Sequence, residues 1–129
     1  MQIEIENLSK AYNGQKALDN LNLSIDDVHS LAIIGPSGGG KTTLLRILGG
    51  LESPYHGSIR LNGRTIDFHE QQLVEHRKRI AIVFQAYNLF PHLTALQNIT
   101  LPMVKTRGRL PGEAMTEALA LLEHFGMAD

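Results

Sequence analysis

An α/β fold, opened by an antiparallel β portion, is predicted by three features of this 129-residue sequence. Its first 34 residues carry stretches that alternate apolar and polar side chains, the period of half-buried strands. An apolar run, Leu31-Ala32-Ile33-Ile34, enters a glycine-rich turn and leaves it as Thr43-Leu44-Leu45-Arg46-Ile47-Leu48, a buried strand feeding a helix. A second run, Ile80-Ala81-Ile82-Val83-Phe84, does not alternate, the mark of a strand covered on both faces.

Ile3, Ile5 and Leu8 begin the first strand, and Asn13-Gly14 signals the turn that ends it. In the next strand Leu21, Leu23 and Ile25 share one face, and Asn20, Asn22 and Ser24 the other. The helix after the glycine turn spans about 41–48 and is stopped by Gly49-Gly50. Gly57-Ser58-Ile59-Arg60-Leu61 is a short strand, and Asn62-Gly63 signals a two-residue hairpin. Residues 68–78 read as a polar helix with Leu73 and Val74 as its apolar contacts. Residues 85–112 are mixed, with prolines at 91, 102 and 111. Residues 113–125 read as an amphipathic helix with Met115, Ala118, Leu119, Leu122 and Phe125 on one face, stopped by Gly126.

The turn itself, Gly35-Pro36-Ser37-Gly38-Gly39-Gly40-Lys41-Thr42, fits G-x-x-x-x-G-K-[ST], the phosphate-binding P-loop pattern. A triphosphate is anionic and strongly hydrated, so replacing its water takes many convergent donors. Glycines at 35, 38, 39 and 40 let the backbone reach positive φ and approach the phosphates. Their amides and the following helix N-terminus would form an anion nest. Lys41 would place a point charge on the β- and γ-phosphates, and Thr42 a hydroxyl on Mg²⁺. Pro36 shapes the bend. A plain strand-to-helix turn has no need of Lys-Thr at this register.

Composition narrows the classes further. The net charge is −1 with no basic block, which makes no case for nucleic acid. There are no cysteines, so no disulfide framework or thiolate metal site. The six histidines show no metal spacing and read as surface residues or caps. The N-terminus lacks the pattern of a signal peptide, and no apolar run approaches the ~20 residues of a membrane span. A membrane role would therefore require a partner to hold the chain there.

Two further stretches carry a resemblance. One is Ser9-Lys10-Ala11-Tyr12-Asn13-Gly14-Gln15-Lys16-Ala17-Leu18. The other runs from Val83-Phe84-Gln85-Ala86-Tyr87-Asn88-Leu89-Phe90-Pro91 to Ile99. In this order around the P-loop, the chain resembles the nucleotide-binding subunit of ABC transporters, most nearly the branch that energises uptake of polar amino acids. The resemblance implies ATP and Mg²⁺ as ligands. It implies nucleotide contacts from Tyr12 and from Gly35, Pro36, Ser37, Gly38, Gly39, Gly40, Lys41, Thr42 and Thr43. Tyr12 would stack on the adenine ring. Gln85 would begin the Q-loop, serve Mg²⁺ or the attacking water with its carbonyl, and with Lys41 take part in catalysis. Thr42 and Gln85 would be the metal contacts. Asn88-Leu89-Phe90-Pro91 would touch a short helix of the membrane subunit. A second copy of the subunit would complete a homodimer at the inner, cytoplasmic face of the membrane, with no nucleic acid involved.

The same resemblance divides the chain into a β portion and P-loop core, about 1–85, and a Q-loop with the start of a helical subdomain, about 86–129. It also sets expectations from departures. The family's glycine near Val28-His29 is absent, and a positive-φ turn at Val28 would be strained. Position 39 is glycine where serine is often found. The signature, the strand ending in Asp, the catalytic Glu and the switch His belong to the family's later half, and none is found in this sequence. The chain is therefore expected to be a truncated first half with an incomplete core sheet. It is expected to bind nucleotide weakly without appreciable turnover, its unpaired edges filled by a partner copy or by rearranged packing. The alternatives are a soluble ABC-type ATPase outside any transporter and a non-catalytic interaction module.

Overall fold

The computed structural model describes residues 1–127, which fall into two compact units, Met1–Ile82 and a second beginning at Val83. The first unit contains β1 (Ile3–Tyr12), β2 (Gln15–Ile25), α1 (Lys41–Leu48), β3 (His56–Leu61), β4 (Arg64–Thr65) and α2 (Glu70–Arg77). Its sheet has the order β2-β1-β3-β4, with antiparallel pairing throughout.

Both Asn-Gly pairs make the turns they signal. Asn13 and Gly14 have φ of 49° and 81°, and Asn62 and Gly63 have 48° and 75°. Two successive left-handed residues suit the right-handed twist of a hairpin. Two further asparagines, Asn7 and Asn20, take φ of 51° at the register shifts between β1 and β2. Side chains satisfy the amides there: Asn7 N donates to Asn22 Oδ1 at 2.9 Å, and Asn20 N to Ser9 Oγ at 2.9 Å. Gly57, at φ 94°, crosses the β1 irregularity so closely that a Cβ would lie 2.5 Å from Glu6 O and 2.6 Å from Leu8 Cα.

The alternation places Ile3, Ile5 and Leu8 of β1 and Ile59 of β3 on the buried face. Leu44 and Ile47 of α1, Ile66 just after β4 and Leu73 of α2 complete that core, flanked by half-buried Leu21, Leu23 and Ile33. Leu8, Ile47 and Ile59 are its largest fully enclosed side chains. Truncating such a residue to alanine typically costs about 2–5 kcal/mol.

The two continuous apolar runs do not form the predicted strands. Residues 31–34 and 80–84 have no regular structure. Ile34 is 90% exposed and Val83 91%. A strand exists only through its ladder, and among the described residues nothing pairs with either run. The turn near Val28 is relieved in another way. Asp27 takes the left-handed conformation at φ 50°, a conformation that a short polar side chain tolerates. Val28 is left to exchange backbone bonds with Met1, 3.2 Å and 2.8 Å long. In α2 Leu73 is buried but Val74 is exposed, so only one of the two expected contacts is made.

The second unit holds α3 (Ala95–Lys105) and α4 (Pro111–His124), which pack together. The sequence reading of 85–112 as mixed missed α3, whose start is a capping box. Gln97 N donates to Thr94 Oγ1 at 3.2 Å, and Thr94 N to Gln97 Oε1 at 2.9 Å. Pro111 occupies the first turn of α4, where no amide bond is lost. The buried residues of α4 are Ala114, Ala118 and Leu122, at i, i+4 and i+8. Met115, Leu119 and Phe125, expected on the buried face, are exposed. The small alanines let the helices approach, and the larger side chains stay outside.

Candidate functional site

The glycine-rich loop joins the unpaired 31–34 segment to α1. Gly35, Gly38 and Gly40 have φ of 152°, 78° and 77°, whereas Gly39 needs no positive φ. Gly39 N instead closes a turn onto Pro36 O at 3.2 Å, which is where Pro36 bends the loop. Gly40 is the N-cap of α1, and no side chain caps the helix. Its first amides therefore retain the free donors of every helix N-terminus. A Cβ at Gly40 would collide with the carbonyl of Ala17 on β2. The loop is thus seated against the neighbouring strand, and only glycine fits there.

Lys41 folds back over the loop, donating from Nζ to Gly35 O at 2.9 Å and to Pro36 O at 2.6 Å. An ammonium has three donors, so one remains for an anion. A cavity of about 350 Å³ opens beside it, lined by Tyr12, Gln15, Lys16, Ala17 and residues 38–43. The Lys41 ammonium, a helix N-terminus and an exposed Thr42 hydroxyl converge there without a carboxylate in the lining, while Lys16 is paired with Asp19 at 2.8 Å. This donor set fits a polyphosphate and its metal ion.

Tyr12 stands at the end of β1 and is 42% exposed. Its hydroxyl donates to Glu52 Oε2, and Glu52 Oε1 accepts from Arg46 Nη1 of α1 at 3.1 Å. This hydrogen bond raises the Tyr12 pKa above its ordinary value, reinforced by desolvation. The same bond lowers the Glu52 carboxyl, with Arg46 adding to the effect. Lys10 Nζ lies 5.5 Å from the Tyr12 ring centroid and 5.1 Å from that of Tyr55.

The structure therefore brings together Tyr12, residues 38–43 of the loop and Lys41 around one cleft, all within the first unit. Gln85 belongs to the second unit and lies on an exposed turn, not at the end of a strand. Tyr87 and Asn88 follow it at φ of 59° and 51°, and Tyr87, Leu89 and Phe90 are exposed. Gln15, Lys16 and Ala17 were not singled out from the sequence. The signal was available in Asn13-Gly14, since a two-residue hairpin pairs Tyr12 with Gln15 and brings β2 to the loop. Glu52 and Arg46 had no sequence signal. None of the six histidines joins a metal cluster among the described residues. His76 instead bonds Leu48 O through Nε2 at 2.8 Å.

A protein-family model described as ABC transporter matches residues 18–129.

The chain belongs to the ABC transporter family.

Relatives within the ABC family include a glutamine transport ATP-binding protein of Bacillus subtilis, 39% identical over 98% of this chain and 52% of its own length. An L-cystine transport system ATP-binding protein of Escherichia coli is 41% identical over 98% of this chain and 53% of its own. A sulfate/thiosulfate import ATP-binding protein of Pseudomonas aeruginosa is 43% identical over 92% of this chain and 35% of its own. The chain thus spans about half or less of these relatives' length. Among solved structures, a dimeric ATP-binding cassette in a post-hydrolysis state with ADP and Pi superposes at a TM-score of 0.81 with 36% identity. It covers 94% of this chain, and the match takes in 56% of the solved one. The fold is accordingly part of an α/β P-loop NTPase domain of the ABC type.

Proposed function

We propose that this chain supplies the ATP-binding segment of an ABC-type ATPase subunit, and that the whole subunit couples ATP hydrolysis to solute import. Amino acids are the proposed solute class, supported by the relatives named for glutamine and cystine transport. The observation that carries the reading is the single cleft shared by Tyr12, the glycine loop and Lys41. Tyr12 would stack on adenine. The amides of Gly35 to Thr43 and the Lys41 ammonium would hold the phosphates. Thr42 and Gln85 would serve Mg²⁺, and Gln85 would orient the attacking water. Hydrolysis would be in-line attack on the γ-phosphate, driven by positioning and electrostatics. With no carboxylate in the described cleft to act as base, this chain alone would bind ATP with negligible turnover.

In this reading residues 1–85 form the β and P-loop portion, and 86–129 the Q-loop and the start of a helical subdomain. The exposed apolar residues around Asn88–Pro91 would meet the membrane subunit. The whole subunit would pair with a second copy and sit peripherally at the inner face of the membrane. No helix among the described residues is long and apolar enough to cross it.

Titration of the chain with Mg-ATP, followed by calorimetry, tests the site. Lys41→Ala removes a charge-assisted contact and is expected to weaken binding about 10- to 100-fold. Equal affinity of both proteins would remove the loop from the binding site.

A further inference from the structure

Tyr12 lines the cleft, while Lys10, Glu52 and Tyr55 stand outside its lining. Three contacts converge on the tyrosine and its support. Glu52 accepts the Tyr12 hydroxyl on one carboxylate oxygen and the Arg46 guanidinium on the other. The Glu52 side chain is only 20% exposed, against 54% for Arg46. Lys10 lies over both the Tyr12 and Tyr55 rings and is itself tethered, Nζ donating to Ser53 O at 2.7 Å. Arg46 belongs to α1, the helix that begins at the phosphate loop.

A half-exposed tyrosine at a strand end would otherwise sample several rotamers, and ordering it on stacking would reduce affinity. Here the hydroxyl is anchored at one end of the ring, and a tethered cation lies near the ring. The carboxylate that anchors it is in turn fixed to the helix leaving the loop.

We propose that Glu52 is a positioning residue for the nucleobase: it presets the Tyr12 ring for stacking and ties that ring to the phosphate loop through Arg46. The proposal rests on Tyr12 being the base platform, and it assigns Glu52 no contact with nucleotide. Base recognition and phosphate recognition then separate by residue. Glu52 governs the first and leaves the second alone.

Calorimetric titration of the full chain with Mg-ATP and with magnesium tripolyphosphate, which lacks a base, tests this. Glu52→Ala is expected to weaken ATP about five- to tenfold, within the range of a stacking contact, and to leave tripolyphosphate unchanged. Unchanged tripolyphosphate affinity also reports that the variant is folded. Tyr12→Phe keeps the ring but loses the anchor, so it should match Glu52→Ala for ATP, and the double variant should be no weaker than either single one. Glu52→Gln, which still accepts the hydroxyl, should recover most of the loss. Equal weakening of both ligands by Glu52→Ala, or additive losses in the double variant, would overturn the proposal. Tyr12→Ala separates the two readings. If it weakens ATP while Glu52→Ala does not, Tyr12 remains the platform and Glu52 has no part in it. If Tyr12→Ala leaves ATP affinity intact, the platform assignment fails and the proposal with it.

Discussion

The bond between the Tyr12 hydroxyl and Glu52 has a pH signature that follows from the two opposed shifts. The folded chain lowers the Glu52 pKa from its ordinary 4.5, through the Tyr12 bond first and the Arg46 bond after it. Its contribution to stability is therefore whole above pH 4.5 and is lost as pH falls through the lowered value. Tyr12 is raised from 10.0, so its contribution is whole below pH 10.0 and is lost as pH rises through the raised value. The pair stabilises the fold fully between those limits. Glu52→Gln should flatten the loss of stability on acidification, and Tyr12→Phe should flatten the loss above pH 10.0. Urea midpoints across the pH range measure both, and curves parallel to the unaltered chain would show that the pair does not couple to folding. At this scale the glycine-rich loop was legible as a pattern, because G-x-x-x-x-G-K-[ST] names particular residues at particular spacings. Glu52 was not, because an isolated acidic residue acquires a role only from the hydroxyl and guanidinium that folding brings to it.

At the scale of elements, turn chemistry carries the register. Asn13-Gly14 and Asn62-Gly63 mark their hairpins because few other residues accept two left-handed conformations in succession. Gly57 was read only as part of a strand, yet it lies where β3 crosses the irregularity in β1. Gly57→Ala should destabilise the first unit by more than about 1 kcal/mol, since both its φ and the backbone contacts oppose a Cβ. Thermal denaturation followed by circular dichroism would detect this, and an unshifted midpoint would show that the crossing adjusts freely. Helix α3 was hidden by Pro102, which reads as a breaker. Its capping box, Thr94-x-x-Gln97, was the signal that could have found it. Thr94→Ala should lower the stability of the second unit by about 1 kcal/mol, as seen in hydrogen exchange of the α3 amides. The face of α4 was misjudged by one position because periodicity ranks residues by hydrophobicity, whereas close packing against α3 selected Ala114 and Ala118.

For the whole molecule, the two apolar runs matter most. Segments 31–34 and 80–84 carry strand-forming sequences whose backbone joins no ladder among the described residues, and Ile34 and Val83 lie almost wholly in solvent. Exposed apolar segments with free donors and acceptors are templates for pairing with another chain. The chain should therefore associate as its concentration rises, and Val83→Lys should reduce that association without lowering the unfolding free energy measured in urea by more than about 0.5 kcal/mol. Light scattering over a concentration series measures this. A monodisperse monomer at every concentration would contradict it.

The sequence by itself determined the glycine-rich loop, the two Asn-Gly hairpins, the helices around them and the family to which the chain belongs. Each of these depends on local chemistry: glycine at positive φ, asparagine in left-handed turns, apolar side chains at a helical period. The tertiary structure decided whether the apolar runs became strands, which face of α4 was buried and how Tyr12 is held. Those outcomes depend on what lies across from a residue in space. A strand is made by its neighbour, a helix face by the helix it touches, and a positioned ring by the carboxylate that meets its hydroxyl.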